Sequence, residues 1–397
     1  MRNRSLAKVA AVSVAGALAL AACSNSTPNN SGGLNSGSAG TGTQGAIKIA
    51  FQGPLSGENA QLGINEINAT KLALDQWNKA NADLQVQLVE LDDVGDPAKA
   101  PAAAAKAIQD KEIVAVVGPS FSGPTKAVCK TYEEAGLVLV SPSATNPDLT
   151  KTLNCAAFHR VVPPDSLEGD LAGQWLAKKA KTVYLVDDLT DYGKGAVDAV
   201  EAAVKAGGAT VVKREGVDKD KTKDYSVIAQ AVKASGAEAV FYGGYDAQAA
   251  LFAKALTAVN YPGLRMSGNG VLSTVFSTNS GADGDGWYIS CGCLDATKAD
   301  NAKEFTAAYK AMFNTDPSTY SPESYDVTNA VLEAIKAAKA KGTVDRKSVW
   351  DAVKALNYKG LTTTIKFAAN GDVENQVINL YKQDGGKIGL VGDIKTS

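Results

Sequence analysis

Four short apolar runs, at residues 47–51, 84–91, 113–117 and 137–140, are separated by stretches whose apolar positions recur at helical spacing. That alternation predicts β-α-β-α order, with the runs as buried strands of a parallel sheet. A helix near 64–79 sets Ile67, Leu74 and Trp77 on one face. A second, over 97–111, opens with Asp96 as its cap and Pro97 in the first helical position. The plan then repeats, with strands at 182–186, 210–214 and 239–242 and helices near 193–206, 225–234 and 247–260. Between the two series, Val161-Val162-Pro163-Pro164-Asp165 stops a helix and marks a crossover. After Gly284-Asp285-Gly286, the strand at 287–290 reads as the start of a return to the first series, with helices near 301–313, 325–341 and 347–356. Segments 362–367 and 377–381, around Asn370-Gly371, read as a hairpin. The expected architecture is α/β, two similar doubly wound lobes joined by several hinge crossovers. Residues 46–164 and 289–375 make the first lobe, and 165–288 and 376–397 the second. Such a pair encloses a cleft at the carboxyl ends of its strands, where open sheets bind ligands.

Ahead of the first strand, Arg2, Arg4 and Lys8 precede an apolar run over 9–20. These are the charged and apolar parts of a secretory signal, and the run is too short for a spanning helix of about 20 residues. Leu20-Ala21-Ala22-Cys23 looks like a bacterial lipobox. Residues 1–22 are then a lipoprotein signal peptide, and Cys23 carries the lipid. Residues 23–45 are mostly Ser, Asn, Gly and Thr and read as a flexible lipid-anchored linker. The expected location is the outer face of a bacterial cell membrane.

The 40 basic and 42 acidic residues nearly cancel, and no block of like charge tracks a nucleic acid. With Cys23 lipidated, Cys129, Cys155, Cys291 and Cys293 remain, an even number for an exported chain. Cys129 with Cys155 is the expected disulfide, which leaves Cys291 and Cys293 as a strained local pair or as free thiols. Metal is disfavoured at that pair, because the single histidine, His159, lies far away in sequence. No nucleophile elbow or phosphate loop is present, and His159 has no catalytic setting. Neither an enzyme nor a cofactor is expected.

Candidate binding residues cluster just after strands. In Gly118-Pro119-Ser120-Phe121-Ser122-Gly123, either Ser122 or Ser120 is positioned to cap a helix whose free amides attract an anion. Ser141-Pro142-Ser143-Ala144-Thr145 places two hydroxyls on one side of an extended loop. For either loop alone, an ordinary cap or turn is the plainer reading. In the second series Asp191-Tyr192-Gly193 and Gly243-Gly244-Tyr245-Asp246 also follow strands, and their aromatic faces suit an apolar group or an ammonium. Asp92, Asp93 and Asp96 read as a turn with a cap rather than a metal site.

Taken together, Gly53-Pro54-Leu55-Ser56-Gly57, Asp92-Asp93 with Asp96-Pro97, Gly118-Pro119-Ser120, Ser141-Pro142-Ser143-Ala144-Thr145 and Tyr242-Gly243-Gly244-Tyr245 resemble the leucine/isoleucine/valine-binding family of type I solute-binding proteins of ABC transporters. The resemblance runs from Ile47 to about Tyr381. It implies a two-lobed, monomeric receptor that closes on a small molecule, usually an amino acid, and presents it to a membrane permease powered by a partner ATPase. It also implies that Ser122, Ser143 and Thr145 hold the ligand carboxylate, that Tyr192 and Tyr245 are pocket aromatics, and that Leu62 faces the ligand side chain. The chain departs from the family at Asn269, where leucine-binding relatives place an acid against the ligand ammonium. Either Asp246 turns inward to supply the carboxylate, or the ligand lacks an ammonium. The ligand implied is a branched-chain or other aliphatic amino acid, with an amide or another small organic acid as the alternative. A sensory ligand-binding module on the same fold is the other function class.

Overall fold

The computed structural model describes residues 46–374 and 377–397. The expected signal peptide (1–22), Cys23 and the whole of the expected linker (23–45) lie outside the described residues.

Strands β1 (Ile47–Gly53), β2 (Val86–Asp92), β3 (Ile113–Val117), β4 (Val138–Ser141) and β5 (Phe158–Arg160) make a parallel sheet in the order β2-β1-β3-β4-β5. β3 and β4 are buried along their whole length. Both faces of the sheet are covered at its centre, which explains why β3 and β4 are continuous apolar runs, whereas the edge strand β2 alternates. The helix Ala60–Ala80 covers one face and buries Leu62, Ile67, Leu74 and Trp77. The indole of Trp77 donates to the carbonyl of Leu84 at 3.0 Å, which ties the helix to the chain entering β2.

A second sheet contains β6 (Thr182–Asp187), β7 (Thr210–Gly216), β8 (Ala239–Gly243), β9 (Leu264–Ser267) and β10 (Trp287–Cys291). A pair of strands, β11 (Tyr358–Lys359) and β12 (Thr364–Ile365), stands apart. The last two strands, β13 (Asn379–Asp384) and β14 (Lys387–Asp393), complete the second sheet in the order β14-β13-β10-β9-β8-β6-β7. β6 to β10 run parallel, while β13 and β14 add an antiparallel edge. The helix Ser321–Ala340 lies against Ala60–Ala80, where Thr70 and Thr328 share a hydrogen bond of 3.1 Å between buried hydroxyls.

The architecture is the expected two-sheet α/β plan, with three local differences. The strand at 287–290 does not begin the return to the first sheet. It is β10, paired with β9, and its Trp287 and Ile289 are fully buried in the core of the second sheet. The helix expected from Pro97 starts at Ala100, because Asp96 folds back on the chain. Its side chain takes the amide of Ala98 at 2.8 Å and its carbonyl the amides of Lys99 and Ala100. Such a local turn competes with the helix, and Pro101 is tolerated in the first helical turn that follows. Asn370-Gly371 does form a turn, with Gly371 at φ +91°, and closes a short antiparallel hairpin in which Phe367 bridges Val373, but the expected strands 362–367 and 377–381 are not partners. β12 pairs with β11 and β13 with β10, since Ile378 and Leu380 are buried in the second sheet.

Two disulfides are present. Cys129–Cys155 has its Cα atoms 6.2 Å apart, and Cys291–Cys293 has them 5.2 Å apart.

Candidate functional site

The carboxyl ends of both sheets face one another, and the loops that follow β3, β4, β6, β8 and β9 meet there. β3 ends at Gly118, whose φ of +114° suits only glycine, and a Cβ there would stand 2.3 Å from the carbonyl of Gln52. That sharp exit throws Phe121 and Ser122 into the cleft. Ser122 is the first residue of the helix Ser122–Glu134, and Phe121, in extended geometry, precedes it. Neither Ser120 nor Ser122 caps this helix with its side chain. Ser122 Oγ instead accepts the amide of Asn146 at 3.1 Å, and Ser120 Oγ donates to Glu66 at 2.5 Å. After β4, Ser143 Oγ donates to the carbonyl of Ser120 at 2.7 Å, so the two hydroxyl-bearing loops are locked together.

From the second sheet, Tyr192 enters after β6 on the helix Asp191–Ala206, Tyr245 after β8, and Asn269 after β9. Gly270 admits Tyr192, since a Cβ on it would sit 2.7 Å from the ring. The tyrosine hydroxyl in turn accepts the Gly270 amide at 2.9 Å.

Leu62, Phe121, Ser122 and Ser143 from the first side enclose, with Tyr192, Tyr245, Asn269 and Gly270 from the second and Tyr320, a narrow and nearly closed slot of about 10 Å³, room for about one water molecule. Phe121 stacks on Tyr245 with ring centres 4.4 Å apart and planes at 24°, and Tyr192 leans on Tyr245 at 5.2 Å. The slot therefore has aromatic walls and a few hydroxyl and amide groups, the composition expected of a small-molecule site. Phe121 and Tyr320 were not legible as site residues from the sequence. Tyr320 has a left-handed backbone (φ +66°) at the start of the helix Ser321–Ala340, and its hydroxyl donates to Asn269 Oδ1 at 2.7 Å.

The remaining candidates stand elsewhere. Thr145 is buried beside the slot and not among the residues lining it. Its hydroxyl has no hydrogen bond of good geometry to a described residue, although it is close enough to Asp165 to favour that acid's charged form. Asp246 does not turn into the slot. Its carboxylate accepts from Asn59 Nδ2 at 2.8 Å, from Ser273 Oγ at 2.6 Å and from the Ala247 amide at 2.8 Å. It therefore joins the lips of the cleft. Gln248 adds a 2.7 Å bond to Glu58, and Lys126 an ion pair of 2.7 Å to Asp191.

Buried acids surround the slot without lining it. Desolvation pushes Glu66 up to about 8, against the opposing hydrogen bonds of Ser120 and Ser143. Asp165 is pushed to about 8 by desolvation and then by the charge of Glu168, and Glu168 is pushed to about 7 by desolvation. Glu168 Oε1 accepts from the Asn269 amide (3.0 Å) and Ser290 Oγ (2.9 Å), and Oε2 accepts from Asn269 Nδ2 (2.9 Å). His159 is buried elsewhere, edge-on to Phe367 at 4.8 Å, and desolvation holds it down to about 4. Among the described residues no group of three or more His, Cys, Asp or Glu side chains is arranged to hold a metal ion, and no helix is long and apolar enough to cross a membrane.

The family model described as "Periplasmic binding protein" matches residues 46–387, most of the chain. The chain belongs to the periplasmic binding protein family. This is a family of substrate-binding proteins and not of enzymes. Its relatives include the Leu/Ile/Val-binding protein BraC3 of Rhizobium johnstonii, 32% identical over 351 residues, which span 86% of this chain and 93% of that protein. Another is the leucine-, isoleucine-, valine-, threonine- and alanine-binding protein of Pseudomonas aeruginosa, 28% identical over 85% of this chain and 89% of that protein. Among solved structures, the branched-chain amino acid transporter substrate-binding protein LivJ of Streptococcus pneumoniae, in complex with isoleucine, has a TM-score of 0.78 at 25% identity and covers 87% of this chain and 99% of its own. A Rhodopseudomonas palustris solute-binding protein in complex with benzoate has the same TM-score at 21% identity, over 88% of this chain and 96% of its own. The fold of this periplasmic binding protein is accordingly type I.

Proposed function

We propose that the protein captures a branched-chain or other aliphatic amino acid in the slot and delivers it to the permease of an ABC importer, working as a monomer. A lipid on Cys23 tethers it to the outer face of the bacterial cell membrane. The observation that carries the reading is the convergence, on one small slot, of Ser122 and Ser143 from the first sheet with Tyr192 and Tyr245 from the second. The serine hydroxyls, and the aromatic faces of Tyr192 and Tyr245 with Phe121 stacked on Tyr245, fit the two ends of an aliphatic amino acid. The relatives named for leucine, isoleucine and valine support the same ligand class.

A second reading has its own support. The residues that line the slot include no carboxylate, which favours a small organic acid or an amide. The two readings separate in a thermal-shift series with the protein lacking residues 1–45. A ligand that binds only the folded state raises the melting temperature, by about 2.7 kcal/mol of stability at a hundred times its Kd. Leucine, isoleucine and valine are expected to raise it, and their deaminated acids to raise it less. A rise with the acids alone would replace the first reading with the second.

A further inference from the structure

We infer that Glu168, buried behind the slot, is the positioning residue that makes Asn269 selective for a ligand bearing an ammonium group. The inference rests on the amino-acid reading above and deepens it.

An ammonium removed from water needs a compensating acceptor and a nearby negative charge. Asp246, next in sequence to Tyr245, is committed to Asn59 and Ser273, and Asp191, next to Tyr192, is paired with Lys126. Asn269 alone offers a dipole and no charge. Its amide is not free to choose its orientation, however. Nδ2 donates to Glu168 Oε2 at 2.9 Å, and the Asn269 main-chain amide donates to Oε1 at 3.0 Å. A reversed amide would set Oδ1 against a carboxylate. Oδ1 is thereby directed to the opposite side, where it receives the Tyr320 hydroxyl at 2.7 Å. A carbonyl oxygen has two lone pairs, so Oδ1 can accept a ligand N–H as well.

In its ionised form the carboxylate behind the amide polarises it, and its charge acts across one side chain in a medium from which water is excluded. Burial holds Glu168 up to about 7, and a docked ammonium favours the ionised form. Ser290 Oγ, at 2.9 Å from Oε1, holds the carboxylate in place. The other ionisable groups that act on this corner are Asp165 on the same helix, Tyr192 and Tyr320, with Glu66 reaching Tyr320 and Arg160 reaching Asp165. Arg160 is engaged by Asp372 at 2.7 Å. Glu168 is thus the acid whose two oxygens are both fixed by a residue lining the slot.

The test measures binding of leucine and of 4-methylpentanoate, its skeleton without the amine, by calorimetry to wild type, Glu168→Gln and the double variant Glu168→Gln/Asn269→Asp. Glu168→Gln is expected to weaken leucine on the order of tenfold to a hundredfold and to leave 4-methylpentanoate within about threefold. The double variant moves the charge to the slot wall and is expected to recover leucine binding. Equal loss of both ligands in Glu168→Gln, or no loss of leucine, overturns the inference. If Glu168→Gln does not fold, the double variant decides. Wild-type preference for leucine over the acid supports the inference, and loss of that preference overturns it. A wild type that binds the acid and no amino acid defeats the amino-acid reading itself, an outcome distinct from unchanged leucine binding in Glu168→Gln.

Discussion

The two walls of the cleft are built on the same strand-loop-helix plan and carry opposite chemistry. The wall after β3 and β4 offers small hydroxyls, Ser122 at the start of a helix whose amide dipoles favour an anion and Ser143 in the loop after β4, beside the ring of Phe121. The wall after β6, β8 and β9 offers aromatic faces, Tyr192 and Tyr245, and an amide backed by Glu168. The folding plan therefore sets where the two walls meet, and the loop residues set which end of a ligand each wall suits.

Removal of the crosslink that holds the first wall is expected to have the largest effect. Cys129 lies on the helix that begins at Ser122, and its bond to Cys155 spans 26 positions. Replacing both cysteines by serine should cost about 3.5 kcal/mol in urea unfolding, whereas the same change at Cys291 and Cys293 should cost about 1.6 kcal/mol. Equal losses would erase this difference between the walls. Next, Tyr245→Ala should weaken leucine binding by about a hundredfold through loss of the stack on Phe121. Ser122→Ala should weaken it by about tenfold, the value of one charge-assisted hydrogen bond. A Ser122→Ala effect that is the same for leucine and leucinamide would remove that wall from the carboxylate role. The smallest effect is expected from Asp246→Asn, which should change leucine affinity by less than about threefold because the side chain faces the lips. A large loss confined to ligands that carry an amine would return Asp246 to the ammonium role.

The strands were legible because parallel strands covered on both faces are continuous apolar runs, and the loops after them were legible by position. What failed to register depended on distance or on context. Tyr320 reaches the slot from a position 51 residues beyond Asn269, and nothing around it distinguishes it from other tyrosines. Phe121 sits within a motif read for its serines. Glu66 carried a weak signal, since it falls four residues after Leu62 on the buried face of its helix, but an acid on an amphipathic helix is ordinarily solvated. Glu168 had no such signal, for it lies on a helix with little separation of apolar and polar faces. The tail was misread because Asn370-Gly371 makes a turn whatever its flanks pair with, and the burial of Ile378 and Leu380 decided their partner.

The bonds across the lips, Asn59 to Asp246 and Gln248 to Glu58, bear on fidelity. They join protein to protein, so they stabilise closure independently of any contact made by the cargo. Under the proposed transport role, every such bond raises the rate of false reports to the permease, and its partner ATPase then hydrolyses ATP without moving solute. The strength of these lips is then set by a compromise between holding cargo long enough to deliver it and staying open when there is none.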